Sequence, residues 1–323
     1  MSDGGAALVL SGLSKSYRDQ LAVRDLDLRV DRAEIHGFLG RNGAGKTTTM
    51  KCLMGLLQWN SGTATLFGEP YHPTDIKARA RIGYSPELPS YPTHLSGREV
   101  LEIYGRMRGI ARDEARARAL PLLDRVMLSD AADKRVGKYS RGMQAKLGLA
   151  VALLGEPELL ILDEPTAGLD PVAASQVRML FRELVREGAS ILLSSHQLAE
   201  VQQISDQVTV IDEGRKLIEG PVVDLLRRVQ GGVVYRAELN LLPGNLEQEV
   251  RALDDVTTVR IVEGSTKPAI ELVLTKDWDV RESLARLVMK HGALMLSCQR
   301  VEVPLETVFL DLVKDRTGPS TGR

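Results

Sequence analysis

The sequence predicts an α/β protein built on a parallel sheet, followed by a smaller α+β domain. Three observations carry that prediction. Strand-like and helix-like segments alternate over the first two-thirds of the chain. Two short apolar runs, residues 159–162 and 191–193, suit central parallel strands buried on both faces. Beyond Gly231-Gly232 the order becomes strand, helix, strand, strand, helix, strand, which is the ferredoxin-like split motif.

The elements follow in order. Residues 8–10 and 22–30 are strand-like, with apolar and polar side chains partly alternating. Residues 34–39 form a third strand and run into a glycine-rich turn, with a helix expected over 47–57. Ser96 and Glu99 have capping-box spacing, and Val100, Leu101, Ile103, Tyr104 and Met107 follow at helical periodicity. The arginine-rich stretch 106–118 is interleaved with Asp113 and Glu114 and reads as a solvated helix face. Gly220-Pro221 and Gly231-Gly232 break the pattern around a short helix expected at 223–229. The second domain has strands at 233–241, 257–262, 269–274 and 294–301, with helices at 246–253 and 280–291. An amphipathic helix is expected at 305–313, and the tail after Asp315 is expected to be disordered.

Composition narrows the function classes. A formal net charge of −1 over 323 residues offers no electrostatic footprint for nucleic acid. The two cysteines, Cys52 and Cys298, lack metal-ligand spacing and fit a reducing compartment. No run approaches the roughly 18 apolar residues of a membrane helix, and no signal peptide is expected. A role at a membrane would therefore require a partner to dock on.

Chemistry concentrates in two motifs. Gly40-Arg41-Asn42-Gly43-Ala44-Gly45-Lys46-Thr47 fulfils GxxxxGK[ST] between a predicted strand and a predicted helix. Glycines let successive backbone N–H groups face phosphate oxygens, and the helix adds its positive end. Lys46 brings a point charge to the β and γ phosphates, Thr47 brings a hydroxyl to Mg²⁺, and Thr48 extends the loop. The second motif is an apolar strand ending in Asp163-Glu164. Asp163 suits the Mg²⁺ shell, and Glu164 suits orientation or deprotonation of the attacking water.

With these motifs in hand, the chain resembles the ATP-binding subunits of ABC transporters. Tyr139-Ser140-Arg141-Gly142-Met143 resembles the family's signature segment. The run from Asp163 to Pro171 is similar to its Walker B and D-loop, and Ser194-Ser195-His196 to its switch-histidine loop. Tyr17 lies where the family has an aromatic that stacks on adenine, and Ile82-Gly83-Tyr84-Ser85-Pro86-Glu87 resembles the Q-loop. The resemblance covers roughly residues 8–220. It departs at Arg141 and Met143, which replace a glycine and a glutamine, and at Glu87, which replaces a glutamine. Arg141 is expected to point outward.

The resemblance implies an α/β P-loop NTPase domain of the ABC type at 1–222, with a helical subdomain at about 88–145. A linker at 223–232, an accessory domain at 233–315 and a tail at 316–323 complete the chain. ATP is implied as substrate, with Mg²⁺ held by Thr47, Asp163 and Glu87. Nucleotide contacts are implied for Tyr17, Gly40, Asn42, Gly43, Ala44, Gly45, Lys46, Thr47, Thr48 and Glu87. Across a head-to-tail homodimer or heterodimer, contacts are implied for Ser140, Gly142, Met143 and Asp170. Lys46, Glu164 and His196 are the implied catalytic residues. Glutamate at position 87 resembles the class that serves exporters with small six-helix membrane partners. The implied partner is a transmembrane permease at the inner face of the cytoplasmic membrane, docked near the helix 97–108. The accessory domain is read as a dimer or partner interface. The rival readings are a soluble ABC ATPase acting on a macromolecular complex and a nucleotide-binding scaffold that does not hydrolyse ATP.

Overall fold

The computed structural model describes residues 5–18, 20–225, 233–253, 255–262, 267–275 and 279–301. The chain divides into two compact units, Met1–Gly220 and Pro221–Arg323.

The first unit carries two sheets. β1 (Ala6–Tyr17) and β2 (Gln20–Asp31) form a long hairpin, joined by β4 (Ser61–Leu66) and β5 (Glu69–Tyr71) in the order β2-β1-β4-β5. The other sheet has the order β10-β9-β3-β8-β7-β6. Its strands are β3 (Ile35–Leu39), β6 (Ile82–Ser85), β7 (Leu159–Asp163), β8 (Ser190–Ser195), β9 (Gln207–Asp212) and β10 (Arg215–Pro221). The neighbours β9-β3, β3-β8, β8-β7 and β7-β6 are all parallel. Every residue of β3, β7 and β8 is buried, as the apolar runs require of strands covered on both faces.

Helix α1 (Lys46–Leu53) follows β3, and its Met50 and Leu53 join one core with Leu10 and Leu28 of the hairpin and with Phe38 and Ile161 of the parallel sheet. Helix α1 stops at Leu53, four residues short of expectation. Gly55 adopts φ +71, and the N–H groups of Leu56 and Leu57 both turn back to the Lys51 carbonyl. Helix α2 (Ile76–Ala80) precedes β6.

Helices α3 (Gly97–Met107), α4 (Arg112–Arg125) and α5 (Arg141–Leu153) pack on one another. The expected capping box closes on α3: Ser96 accepts from the Glu99 N–H, and the Glu99 carboxylate accepts from the Ser96 N–H. The stretch 106–118 is not one solvated face. Gly109 at φ +88 separates α3 from α4. Arg118 donates to the Leu154 carbonyl at 3.1 Å and pairs with both Glu114 and Glu156. Mixed charge in the sequence thus hides an arginine that ties α4 to the end of α5. Helices α6 (Pro171–Arg186) and α7 (Leu198–Ile204) pack against β8 and β3.

The second unit has four strands, β11 (Val233–Leu239), β12 (Val256–Val262), β13 (Ala269–Leu274) and β14 (Met295–Val301). They pair antiparallel in the order β12-β13-β11-β14, with helices α8 (Leu246–Arg251) and α9 (Arg281–Lys290) between strands. That order is the ferredoxin-like topology expected from βαββαβ. β11 ends two residues early, where Asn240 exchanges hydrogen bonds with Leu294: its N–H donates to the Leu294 carbonyl and its side chain accepts from the Leu294 N–H. Tyr235, Ala237, Leu272, Leu284 and Val288 fill the core. Residues 222–225 are helical, and the rest of the expected helix at 223–229 lies outside the described residues, as do the expected helix at 305–313 and the tail.

No helix among the described residues is long and apolar enough to cross a membrane.

Candidate active site

Parallel register brings the predicted chemical groups to one edge. Leu39 lies level with Ser195 and Asp163 level with Ser194, so β3, β8 and β7 end together. The residues that follow, Gly40, His196 and Glu164, emerge at the same carboxyl edge, where open α/β sheets bind ligands.

The loop after β3 is shaped by glycine. Gly45 sits at φ +109, and a Cβ there would meet the Ala22 carbonyl at 2.7 Å. Only glycine fits that position. Gly45 is also the N-cap of α1, and no side chain caps the helix. The first N–H groups of α1 therefore lack a capping side chain, which suits an anion. Ala44 is buried, its N–H donating to Arg41 and its carbonyl accepting from Gly214. Arg41, Asn42 and Gly43 are exposed, and Thr47 and Thr48 are half-buried.

Lys46 is 6% exposed. Its Nζ donates to the Gly40 carbonyl at 2.7 Å and stands 3.6 Å from Glu164 Oε1. The other Glu164 oxygen, Oε2, lies 2.8 Å from Nδ1 of His196. The carboxylate can only accept, so Nδ1 is the donor. A buried carboxylate is costly unless it is paired, and these two partners pair it.

Ser194 arranges the acidic pair. Its hydroxyl donates to Asp163 Oδ1 at 2.6 Å and accepts the Glu164 N–H at 2.9 Å. Glu164 itself is held at φ +50, a sparsely populated conformation for a side chain other than glycine. One hydroxyl thus aims two neighbouring carboxylates in different directions. Sequence reasoning assigned Ser194 no separate role. The available signal was a serine ending a buried apolar strand.

Asp163 is fully buried beside Tyr84, whose phenol is pushed up to about 12, first by burial and then by the Asp163 charge. The Thr47 hydroxyl and the Asp163 carboxylate are hard oxygen donors of the kind Mg²⁺ prefers. No group of three or more His, Cys, Asp or Glu among the described residues is arranged to hold a metal by itself. A metal here would complete its shell with phosphate oxygens and water, as Mg²⁺ commonly does.

The other predicted residues make contacts of their own. Ser140 caps α5 by accepting the Met143 N–H at 3.2 Å. Ser140, Gly142, Met143 and Asp170 line a cleft of about 540 Å³, and Asp170 caps α6 through the Ala173 N–H. Tyr17 ends β1, 44% exposed, with Lys15 Nζ 5.3 Å from its ring centre. Glu87 is paired with Arg141, Nη2 to Oε1 at 3.9 Å. Arg141 does point outward, 58% exposed, but not freely. Of the other histidines, His36 is buried against Thr209 at 2.9 Å and serves packing.

Known proteins resemble this chain in sequence and in fold. The family model described as "ABC transporter" matches residues 23–167. The daunorubicin/doxorubicin resistance ATP-binding protein DrrA of Streptomyces peucetius is 37% identical over 306 residues, 95% of this chain and 92% of that relative. The bacitracin transport ATP-binding protein BcrA of Bacillus licheniformis is 43% identical over 217 residues, 67% of this chain and 70% of the relative. A solved ATP-binding subunit of an ABC transporter superposes with a TM-score of 0.62 at 32% identity, covering 69% of this chain and 92% of that structure. The chain is therefore a member of the ABC transporter ATP-binding subunit family, an ATPase with the P-loop fold of that family.

Proposed function

We propose that this chain hydrolyses ATP to power an exporter whose membrane-spanning part is a separate polypeptide. The observation that carries the reading is the convergence of Lys46, Asp163, Glu164 and His196 at the carboxyl ends of β3, β7 and β8. Buried charge gathered at one strand edge serves chemistry better than stability.

In this reading the Gly40–Thr48 loop binds the ATP phosphates through its N–H groups and Lys46, and Tyr17 stacks on the base. Mg²⁺, when bound, would supply positive charge that offsets the phosphate charge. Thr47 and Asp163 would hold it, with Glu87 contributing from the loop after β6. Glu164 orients a water and takes its proton as the water oxygen attacks the γ-phosphorus. The bond to the bridging oxygen breaks and ADP leaves with it. His196 fixes the carboxylate by donating from Nδ1 and, when both ring nitrogens carry a proton, donates from the other to the γ-phosphate. Ser140, Gly142, Met143 and Asp170 serve the nucleotide of a second subunit facing head to tail. ATP then drives closure because it contacts both halves.

Export as the direction is supported by the relatives' names, which include daunorubicin resistance, bacitracin transport and Nod factor export. The transmembrane partner would seat this subunit on the inner face of the cytoplasmic membrane, against the helix 97–108. Residues 1–222 form the ATPase domain of this reading, 223–232 its linker and 233–315 an interface to a second subunit or accessory protein. The test is size measurement of the Glu164→Gln chain with and without ATP. The reading expects a dimer that appears only with nucleotide. A chain that stays monomeric with saturating ATP, alone and with its membrane partner, would refute the sandwich.

A further inference from the structure

The Arg141–Glu87 pair joins two loops that the chain reaches by separate routes. Glu87 follows the carboxyl end of β6, and Arg141 is the first residue of α5. The guanidinium stands 3.9 Å from the carboxylate, with the side chains 58% and 47% exposed. A cation at the first position of a helix opposes the helix dipole, which favours anions there. Arg141 is thus in a place that calls for a compensating anion, and Glu87 supplies it.

A third loop takes part. Gly168, in the segment after Asp163 and Glu164, has φ +76, and a Cβ there would stand 2.9 Å from both Cδ and Nε of Arg141. The stem of Arg141 lies across that glycine. One side chain therefore touches the loop after β6, the start of α5 and the loop after β7. Its position is set by packing along the stem as well as by the pair at its tip, so the guanidinium is held facing Glu87.

We propose that Arg141 is a positioning residue for Glu87, competing with Mg²⁺ for the same carboxylate. The inference rests on the ATPase reading above. Glu87 has two cationic partners available in that reading: a guanidinium fixed beside it and a divalent ion bound with ATP. A dense divalent charge with oxygen ligands is the stronger attractor. The exposed guanidinium pair is a weak one. Such a pair steers the loop without preventing release of the carboxylate. The consequence is measurable: part of the gain from Glu87 meeting Mg²⁺ is offset by losing Arg141. Removing Arg141 should increase the advantage that Mg²⁺ gives to nucleotide binding, and only while Glu87 is present.

The experiment measures the Kd of a fluorescent, non-hydrolysable ATP analogue on the full chain, in EDTA and in excess Mg²⁺. It uses protein concentrations at which light scattering shows a monomer. The readout is the ratio of the two constants. The proposal expects Arg141→Ala to raise that ratio about threefold, the scale of an exposed ion pair. Arg141→Lys should keep the original ratio, because the charge remains. Glu87→Gln should lower the ratio, and adding Arg141→Ala to it should change nothing more. An unchanged or lowered ratio in Arg141→Ala overturns the proposal. So does a threefold rise that persists in the Glu87→Gln background, because the effect would then not pass through the carboxylate. A variant that had lost its fold would bind weakly in both conditions and show it by its melting curve, so the ratio is read only on variants whose melting temperature matches the unmutated chain. Failure of the ATPase reading looks different: the unmutated chain would bind no analogue in either condition, and both proposals would fall.

Discussion

The two units use charge in opposite ways. In the first, charged and polar groups are driven inward to a single strand edge. Lys46, Asp163 and Glu164 are each less than a tenth exposed, and Ser194 is fully buried. In the second, the core is apolar, and ion pairs such as Lys290 with Glu249 and Arg281 with Asp279 lie at the surface. Buried charge costs free energy that surface charge does not. Among the described residues, buried charge is confined to the first unit, which separates chemistry from scaffolding. A left-handed Glu164 and an uncapped α1 belong to the same side of that contrast.

The contrast can be broken most sharply at Lys46. Lys46→Ala removes the point charge from the phosphate loop and leaves Glu164 with His196 alone. Loss of one such electrostatic contact typically costs about 10²–10³-fold in rate. Steady-state phosphate release should fall by that amount even well below the variant's own unfolding transition, because stripping one partner from the buried Glu164 carboxylate also costs stability. Unaltered turnover would detach the buried cluster from the chemistry.

The second unit offers the converse. Leu272 and Leu284 are fully buried in its core. Leu272→Ala should cost about 2–5 kcal/mol of stability in that unit. Nucleotide affinity of the monomer should be unchanged, because the phosphate loop and its partners all belong to the first unit. A matching loss of affinity in the intact chain would show that the division of labour is not real.

A smaller effect sharpens the comparison at a surface pair of the first unit. Arg81 donates to Glu158 through Nε at 2.5 Å and through Nη2 at 2.8 Å, joining the starts of β6 and β7. Those hydrogen bonds hold the Glu158 carboxyl below its ordinary value, the nearby Arg81 charge adding to the effect. The folded value is depressed, so the pair stabilises the fold above the unfolded value of about 4.3. The contribution is lost as pH falls through the folded value. Both groups are substantially exposed, so the pair is worth only about 0–1 kcal/mol. Glu158→Gln should lower the melting temperature by roughly 1–2 °C at pH 7. That difference should vanish well below pH 4. A difference that persists in acid would mean that the amide disturbs packing rather than charge.

Much of this is legible in the sequence alone. The phosphate loop, the acidic strand end and the second-unit topology each follow from a local pattern: a motif, an apolar run, an element order. Three features were not legible, each for a physical reason. The level ends of β3, β7 and β8 arise from parallel pairing between distant segments, and periodicity within a strand does not encode its neighbour's register. The Ser194 bridge needs Asp163 and Glu164 placed across that register, so the serine looked like a strand terminus and nothing more. Arg118 was misread because composition distinguishes a charged helix from an apolar one, yet cannot say that a guanidinium reaches the Leu154 carbonyl.

The most direct test of the central claim compares phosphate release by the unmutated chain and by Glu164→Gln, both in Mg²⁺ and saturating ATP. Nucleotide binding is measured in parallel on the same samples. The account predicts that binding is retained while hydrolysis falls by at least about a hundredfold. The substitution keeps the shape of Glu164 and removes its ability to take a proton. Hydrolysis that survives in Glu164→Gln at the original rate would contradict the assignment of the buried carboxylate, and with it the reading of the strand edge as the place where ATP is cleaved.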